Sequence, residues 1–283
     1  MDDTMNIRLI AVDLDGTLFD TQKKLSEENR RACEEAIAAG VQVVIATGRP
    51  FYGIPEEARK LKGLKYAICT NGASLYDLER EMCLYEDPMS RDEALTMVEG
   101  LMKMPVICDV FYNGHAYIDS SKAGLIERMN ADEPFKAYFR SCREEMPDVM
   151  ALMRSYTKGP EKVTVNFTAG PDGKPFYRQE TVNWCGQFRD LVMVSGGVGN
   201  VEFTRASATK GAALLKLNEI LGIAPEQTMA IGDSGNDFDM LQKAGFSVGM
   251  ANSEPEILKT VDYVTKSNNE DGVAYAVRKF VLS

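Results

Sequence analysis

The chain has 283 residues, 45% of them hydrophobic and 26% charged, which is ordinary for a folded protein and long enough for two domains. Its net charge of −10 opposes binding to nucleic acid, which is itself a polyanion. Apolar runs stay short of the roughly 20 residues that span a bilayer, and the first residues lack the basic region of a signal peptide. Six cysteines without a CxxC pair indicate a reduced, cytoplasmic protein, and we expect no membrane partner.

Residues 7–82 alternate between strand and helix patterns. "LIAVD" predicts a buried strand, and "SEENRRACEEAIAAG" predicts a helix capped by Ser26 and ended by Gly40. "VQVVIATG" and "YAICTNG" are short β-rich runs that end in turn residues. Strands that alternate with helices predict an α/β fold, a parallel sheet with helices on both faces.

Residues 85–205 follow a different pattern. "SRDEALTMVEGLMK" predicts an amphipathic helix that begins with a capping box between Ser90 and Glu93. "PVICDVFYNGHAYIDS" predicts a hairpin that turns at Asn113–Gly114, and "LVMVSGGVGNVEF" predicts a second hairpin that turns through glycines. "EKVTVNFT" alternates as a strand does. This is an α+β pattern with antiparallel strands, and it predicts a separate inserted domain.

Strand–helix alternation returns after residue 205. "ATKGAALLKLNEILG" predicts a helix that begins near Lys210, and "TMAIGDSGNDFDML" predicts a strand, a loop and the start of a helix. "FSVGMANS" predicts a short strand, and "SEPEILKTVD" a helix with a capping box between Ser253 and Glu256. We therefore expect residues 1–84 and 206–283 to form one core domain around the insertion at 85–205.

Polar residues, together with turn glycines, follow several of the predicted strands. They are Asp13 and Asp15, then Thr47, Gly48 and Arg49, then Asn71 and Gly72, and finally Asp233, Asn236 and Asp237. The carboxyl ends of parallel strands face one crevice, where ligands bind. Two carboxylates 4 Å apart repel by about 4 kcal/mol at an effective dielectric of about 20, and a hard divalent cation would offset this. A magnesium site typically has only a few protein carboxylates, and waters and phosphate oxygens complete the coordination of the ion.

Each of these features also has a plainer interpretation. A lone DxD is often a turn or a helix cap, "ATGR" is ordinary loop chemistry, and Lys210 alone would be a solvated helix residue. His115, the one histidine, is expected to be a polar residue beside a turn. Met97, Met102 and Met104 are expected to fill a core. The conjunction of polar groups at successive strand ends argues against coincidence.

The ordered motifs "DLDGT", "ATGR", "TNGA", "TKG" and "GDSGNDFDM" resemble the haloacid dehalogenase superfamily. The large insertion is similar to that of its Cof-type branch, subclass IIB. The resemblance implies a Rossmann-like parallel-sheet core with an inserted α+β cap domain of the C2 type. Gly235 is a departure, because this branch often has Glu there.

The resemblance also implies roles for individual residues. Asp13 matches the nucleophile that becomes an aspartyl phosphate, and Asp15 matches the general acid and base. Thr47 matches a donor to the phosphoryl group, and Lys210 matches the cation that holds the nucleophile and the phosphate. Asp233 and Asp237 match magnesium ligands, together with Asp13 and the backbone carbonyl of Asp15. The residues that match substrate-binding or loop-shaping positions are Asn71, Asn236, Gly48 and Arg49. Asp15 suits acid–base work if crowding by other carboxylates raises its pKa.

These inferences favour a Mg²⁺-dependent phosphatase that acts on a small phosphorylated metabolite, such as a sugar phosphate. A phosphomutase or phosphotransferase that uses the same intermediate is an alternative, as is a regulatory module that binds phosphate without turnover. An insertion of about 120 residues is expected to cover the strand-end crevice and exclude water during the reaction. The metabolite, the cap residues that select it, the pathway and the oligomeric state remain open.

Overall fold

A computed structural model describes residues 6–194 and 199–282. The strands are β1 (Leu9–Val12), β2 (Gln42–Ala46), β3 (Tyr66–Cys69), β4 (Ser74–Asp77), β5 (Met82–Glu86), β6 (Ile107–Tyr112), β7 (His115–Asp119), β8 (Glu144–Met146), β9 (Lys162–Asn166), β10 (Leu191–Val194), β11 (Asn200–Arg205), β12 (Thr228–Gly232), β13 (Phe246–Gly249) and β14 (Tyr263–Val264). The α-helices are α1 (Glu27–Ala38), α2 (Glu56–Arg59), α3 (Arg91–Met102), α4 (Glu133–Ser141), α5 (Val149–Ser155), α6 (Arg178–Cys185), α7 (Lys210–Leu221), α8 (Phe238–Lys243), α9 (Pro255–Leu258) and α10 (Gly272–Phe280). None of these helices is both long and apolar enough to cross a membrane.

The described residues form two compact units. The first contains residues 6–49, 54–85 and 209–282, and the second contains residues 50–53 and the described part of 86–208. The sequence predicts residues 50–53 as part of the core domain. They join the second unit because the Tyr52 amide donates to the Gly114 carbonyl at 3.0 Å and the Tyr52 and His115 rings lie 4.1 Å apart.

The first unit is built on an eight-stranded sheet in the order β14-β13-β12-β1-β2-β3-β4-β5. The strands from β14 to β3 are parallel to their neighbours, and β4 runs antiparallel to β3. Strand β1 lies between β12 and β2, and its four residues are fully buried. This position explains the continuous apolar run of its sequence, because neither face of a central parallel strand meets water. The predicted α/β fold with a parallel sheet is confirmed.

Helices pack on both faces of this sheet. Leu9 and Ala11 of β1 belong to a core cluster with residues of α7 and α8 such as Leu214 and Met240. The alternate residues of β1 point the other way. Helix α1 contacts β2 and packs against α10. Ser26 caps α1 as predicted, and the helix ends at Ala38, so that Gly40, with φ of +92°, lies one residue beyond the C-cap.

The second unit contains a six-stranded sheet in the order β10-β11-β9-β6-β7-β8. Its pairs are antiparallel except for β7 and β8, which are parallel. Helices α3, α5 and α6 pack on one face, where Met97 is fully buried and Met102 and Met104 lie at the edge of the core. The α+β pattern predicted for this stretch, and the role of its methionines as core residues, are confirmed.

Both hairpins predicted in this unit have antiparallel strands. In the first, Asn113 and Gly114 have φ of +51° and +79°, which is the geometry of a type I′ turn between β6 and β7. His115 follows this turn as predicted, and its Nδ1 lies 2.6 Å from Oε1 of Glu144. In the second hairpin β10 pairs with β11, but the predicted glycine turn includes residues 195–198, which lie outside the described residues.

The two predicted capping boxes are wrong. Ser90 is the N-cap residue of α3, and its backbone carbonyl accepts the first helical bond from the Ala94 amide, but its side chain makes no capping hydrogen bond with the described residues. In helix α9 the N-cap position is occupied by Glu254 rather than by Ser253, and the Glu254 side chain makes no capping hydrogen bond with the described residues. The Ser253 hydroxyl donates to the carbonyl of Gly232, at the end of β12. At Ser253 a tertiary contact thus overrides a local sequence signal.

Candidate active site

The polar residues that follow β12, β1, β2 and β3 lie at the same edge of the sheet, because these strands are parallel neighbours. Backbone hydrogen bonds link the ends of the strands. The Asp13 amide donates to the Ile231 carbonyl at 3.0 Å, and the Asn71 amide donates to the Thr47 carbonyl at 3.1 Å. The sheet therefore brings the predicted site residues to one edge.

Lys210 is the first residue of α7, and its ammonium joins two of the carboxylates. Its Nζ lies 2.6 Å from Oδ1 of Asp13 and 2.7 Å from Oδ1 of Asp237, and all three side chains are buried. Burial raises the pKa of Asp13 well above its ordinary value, although Lys210 acts against this. Burial alone would lower the pKa of Lys210, but the two carboxylates raise it, so the lysine stays charged.

Asp233 is the third carboxylate of this cluster. The Thr17 hydroxyl donates to its Oδ1 at 2.7 Å. Burial raises the pKa of Asp233 to about 6, and the charge of Asp237 contributes in the same direction. A Cβ atom at Gly16 would lie 2.5 Å from Oδ2 of Asp233, and Gly16 has φ of +95°, so both the space and the backbone conformation require glycine.

Asp237 organises the loop that carries Asp233. Its Oδ2 accepts from the amides of Asp233 and Ser234 at 3.0 and 3.1 Å, while its Oδ1 accepts from Lys210. Both oxygens therefore already have donors. Of the predicted metal ligands, Asp13 and Asp233 have more of their oxygen lone pairs free of these internal contacts.

The cluster fits a divalent cation. One oxygen each of Asp13, Asp233 and Asp237 lies within 4.8 Å of the others. One lysine cannot balance three carboxylates, of which Asp13 and Asp237 are buried and Asp233 is half-buried. Burial raises the pKa of Asp13 and of Asp233, and the neighbouring carboxylates act in the same direction. Carboxylate oxygens are the ligands that hard divalent cations prefer. The side chains of Asp13 and Asp233 would hold the ion, and the contribution of the Asp15 carbonyl stays a prediction.

Asp15 is in a different environment from the one anticipated. Arg49 donates from Nε to Oδ2 at 2.7 Å and from Nη2 to Oδ1 at 2.8 Å, and the Lys23 ammonium lies 3.0 Å from Oδ1. Burial alone would raise the pKa of Asp15, but the hydrogen bonds and charges of Arg49 and Lys23 outweigh it and lower the pKa to about 2. The predicted rise through carboxylate crowding is wrong, because two cations face this carboxylate.

We expect Arg49→Gln to lower the free energy of unfolding by about 1–2 kcal/mol at pH 7, allowing for a carboxylate about one third exposed. The folded-state pKa of Asp15 lies below its unfolded value, so this contribution is present above about pH 4 and is lost toward pH 2. Urea unfolding of the wild type and of Arg49→Gln in chelator, at pH values from 7 to 2.5, measures this difference in the free energy of unfolding. Arg80→Gln, which removes an exposed arginine, is the control. A deficit of the same size at both pH values would contradict the assignment.

Gly48, Asn71 and Asn236 form a third group. The Asn236 side-chain amide donates to Oδ1 of Asn71 at 3.1 Å, and a Cβ atom at Gly48 would lie 2.7 Å from that same oxygen. Thr47 is buried, and its hydroxyl accepts from the Arg49 amide at 3.2 Å. All the predicted site residues thus lie in three linked groups around the ends of the strands.

Three residues with a place in this arrangement have no role in the sequence prediction. Thr17 and Lys23 contact Asp233 and Asp15, as described above. Gly72 has φ of +99°, and a Cβ atom there would lie 2.0 Å from the Thr209 carbonyl, so glycine allows the start of α7 to approach the turn that follows β3. The position of Thr17 inside "DLDGT" could have identified it, whereas the loop around Lys23 carries no such signal.

The chain is similar in sequence to a family of hydrolases and to several phosphatases. Residues 10–277 match the sequence profile of a family described as haloacid dehalogenase-like hydrolases. The 5-amino-6-(5-phospho-D-ribitylamino)uracil phosphatase YcsE of Bacillus subtilis (strain 168) is 31% identical over 278 residues, which cover 98% of this chain and 97% of that protein. The pyridoxal phosphate phosphatase YbhA of Escherichia coli (strain K12) is 28% identical over 280 residues, which cover 98% of this chain and 100% of that protein.

The fold is similar as well. The structure of a haloacid dehalogenase-like hydrolase from B. subtilis superposes with a TM-score of 0.80 at 27% sequence identity. The match covers 96% of this chain and 99% of that one. The similarity therefore includes residues of both units as well as the strand-end motifs.

Proposed function

The chain belongs to the haloacid dehalogenase-like hydrolases, and from this premise we propose that it is a Mg²⁺-dependent phosphatase acting on a small phosphorylated metabolite through an aspartyl phosphate on Asp13. The observation that carries the proposal is the position of Asp13. It lies at the end of the central strand, buried and held by Lys210, with Asp233 and Asp237 beside it. A carboxylate fixed in this way has one oxygen bound to the lysine, and the other is available for attack.

The proposed reaction consists of two displacements. In the first, an oxygen of Asp13 attacks phosphorus, the bond from phosphorus to the leaving oxygen breaks, and Asp15 gives that oxygen a proton. In the second, water attacks phosphorus, Asp15 takes a proton from the water, and phosphate leaves Asp13. Asp15 can act as the acid only after it exchanges a contact with Arg49 for a proton, because both its oxygens now accept from cations.

Phosphoryl transfer depends mainly on positioning and on neutralising the charge of the phosphoryl oxygens. Lys210 supplies one positive charge at Asp13, and Thr47 is proposed to donate a hydrogen bond to the phosphoryl group. A magnesium ion held by Asp13 and Asp233 would stabilise negative charge on the phosphate oxygens. Asn71 and Asn236, which are already hydrogen-bonded to each other, are proposed to contact the substrate phosphate.

Phosphate release from an aryl phosphate tests the proposal. We expect excess chelator to abolish turnover and added Mg²⁺ to restore it, because the carboxylate cluster needs a divalent cation to balance its charge. Ca²⁺ should substitute poorly, since its larger and looser coordination alters the position of the phosphate. Full activity in excess chelator would refute the metal assignment, and the absence of phosphate release under any condition would refute the phosphatase.

The products distinguish this proposal from its alternatives. A phosphomutase would give an isomerised phosphate ester, a phosphotransferase would need an acceptor, and a binding module would release no phosphate.

The relatives YcsE and YbhA are named for unrelated phosphate esters, so they favour a small phosphorylated metabolite without identifying it. A sugar phosphate is our proposal for the substrate. The cytoplasmic location and the exclusion of nucleic acid stay predictions from composition.

A further inference from the structure

Residues 250–254 follow strand β13 in the first unit and hold the loop that carries Asp233. The Met250 amide donates to the Gly232 carbonyl at 3.2 Å, and the Glu254 amide donates to the Asp233 carbonyl at 3.0 Å. The backbone at the end of β12 is therefore fixed by this short segment. We call residues 250–254 the brace.

The brace also holds the segment that follows β1. The side-chain amide of Asn252 donates from Nδ2 to the Gly16 carbonyl at 2.9 Å, and its Oδ1 accepts from the Asn268 amide at 2.9 Å. The Asn268 side chain in turn donates to the Phe19 carbonyl at 2.9 Å. Gly16 and Asn252 are 236 positions apart, so no local turn requires their contact. Asn252 thus joins the segment after β1 to the brace.

Gly16 borders on the carboxylate of Asp233. The Thr17 hydroxyl donates to Oδ1 of Asp233 at 2.7 Å, so Oδ2 is the oxygen better placed to bind an ion. A Cβ atom at Gly16 would lie 2.5 Å from this Oδ2, which means that the Gly16 backbone lies directly beside it. A shift of Gly16 would therefore change the room for an ion between Asp233 and Asp13, whose carboxylates belong to one cluster.

The geometry of a metal site commonly depends on groups that hold its ligands without touching the ion. We propose that Asn252 is such a positioning residue: by fixing the Gly16 carbonyl, it keeps the segment after β1 at the distance from Asp233 that the divalent cation requires. The proposal rests on the proposed function, because that function includes the cation. Asn252 is exposed, so water competes for its hydrogen bonds and they add little to the stability of the fold.

Asn252→Ala tests this proposal, because it removes the contact with Gly16 without changing a buried side chain. The unfolding midpoint is measured in a Mg²⁺ titration, since a cation that binds only the folded protein raises this midpoint. We expect Asn252→Ala to need about tenfold more Mg²⁺ than the wild type for the same rise above its own midpoint in chelator. The midpoint in chelator itself should fall by about 3 °C or less.

Two further variants separate positioning from a general loss of structure. Asn252→Gln keeps the side-chain amide and should recover most of the response to Mg²⁺. Asn183→Ala removes an exposed asparagine from α6, in the second unit, and should leave the response unchanged. In phosphate release, Asn252→Ala should raise the Mg²⁺ concentration that gives the half-maximal rate, while kcat and KM at saturating Mg²⁺ stay near those of the wild type.

Three results would overturn the proposal and leave the proposed function intact. These are equal responses to Mg²⁺ in Asn252→Ala and the wild type, a loss of response that Asn252→Gln does not reduce, and an equal loss in Asn183→Ala. Failure of the metal assignment is distinguishable, because the midpoint of the wild type would then not respond to Mg²⁺ at all. That result would overturn both the metal assignment and the role of Asn252.

Discussion

Asp13→Asn is expected to lower phosphate release by about 10³-fold or more, because the change removes the group that is proposed to attack phosphorus. An amide is a far weaker nucleophile than a carboxylate. Single-turnover assays with an aryl phosphate in excess Mg²⁺ measure the loss. They also separate it from a change in substrate binding.

The fold should survive this substitution. Asparagine has nearly the same size as aspartate, and Lys210 keeps Asp237 as a partner at 2.7 Å. Because the raised pKa of Asp13 means that burial disfavours its charge, the neutral amide should not lower the free energy of unfolding in chelator. Asp77→Asn, at the end of β4, is a matched control outside the cluster. Near wild-type turnover in Asp13→Asn would refute the covalent mechanism.

The position of the site was predictable because it depends on strand ends. The run that ends at Asp13 is apolar at every position because β1 is the central strand, and the same rule identified β2, β3 and β12. Parallel neighbours bring their carboxyl ends to one edge whatever the detailed packing. A pattern of this kind needs no knowledge of side-chain conformation.

The contacts of Asp15 could not be predicted in the same way. Arg49 was known to lie near the same edge, but whether its guanidinium reaches a substrate or Asp15 depends on its rotamer. The Lys23 ammonium comes from a loop with no regular pattern. The consequence is large, because these two cations reverse the direction of the pKa shift that carboxylate crowding suggested.

Local signals failed where a distant group competed for the same atom. The Ser253 hydroxyl donates to the Gly232 carbonyl instead of capping α9, although the two residues are 21 positions apart. The assignment of residues 50–53 to the second unit depends in the same way on Gly114 and His115, which are distant in sequence. A single sequence gives no information about such pairs.

Lys210→Met is expected to lower the free energy of unfolding in chelator by about 3–5 kcal/mol and to abolish phosphate release. The ammonium is fully buried between Asp13 and Asp237, so its removal leaves two buried carboxylates without a direct cationic partner among the described residues, beside a third carboxylate, Asp233. Lys216→Met on the same helix removes an exposed lysine and should change stability by no more than about 0.5 kcal/mol. Urea unfolding of the two variants gives the comparison.

Two conditions should reduce the deficit of Lys210→Met, and both follow from charge. Added Mg²⁺ should restore part of the stability, since a bound cation replaces the missing one, although turnover stays low. Lowering the pH from 7 to 5.5 should also reduce the loss of free energy of unfolding in Lys210→Met. The pKa of Asp13 is raised in the folded state, so the folded cluster takes up protons before the unfolded chain does, and the destabilising charge disappears as the pH falls. A deficit independent of both pH and Mg²⁺ would mean that Lys210 stabilises the fold by packing alone, and the charge balance proposed for the site would then be wrong.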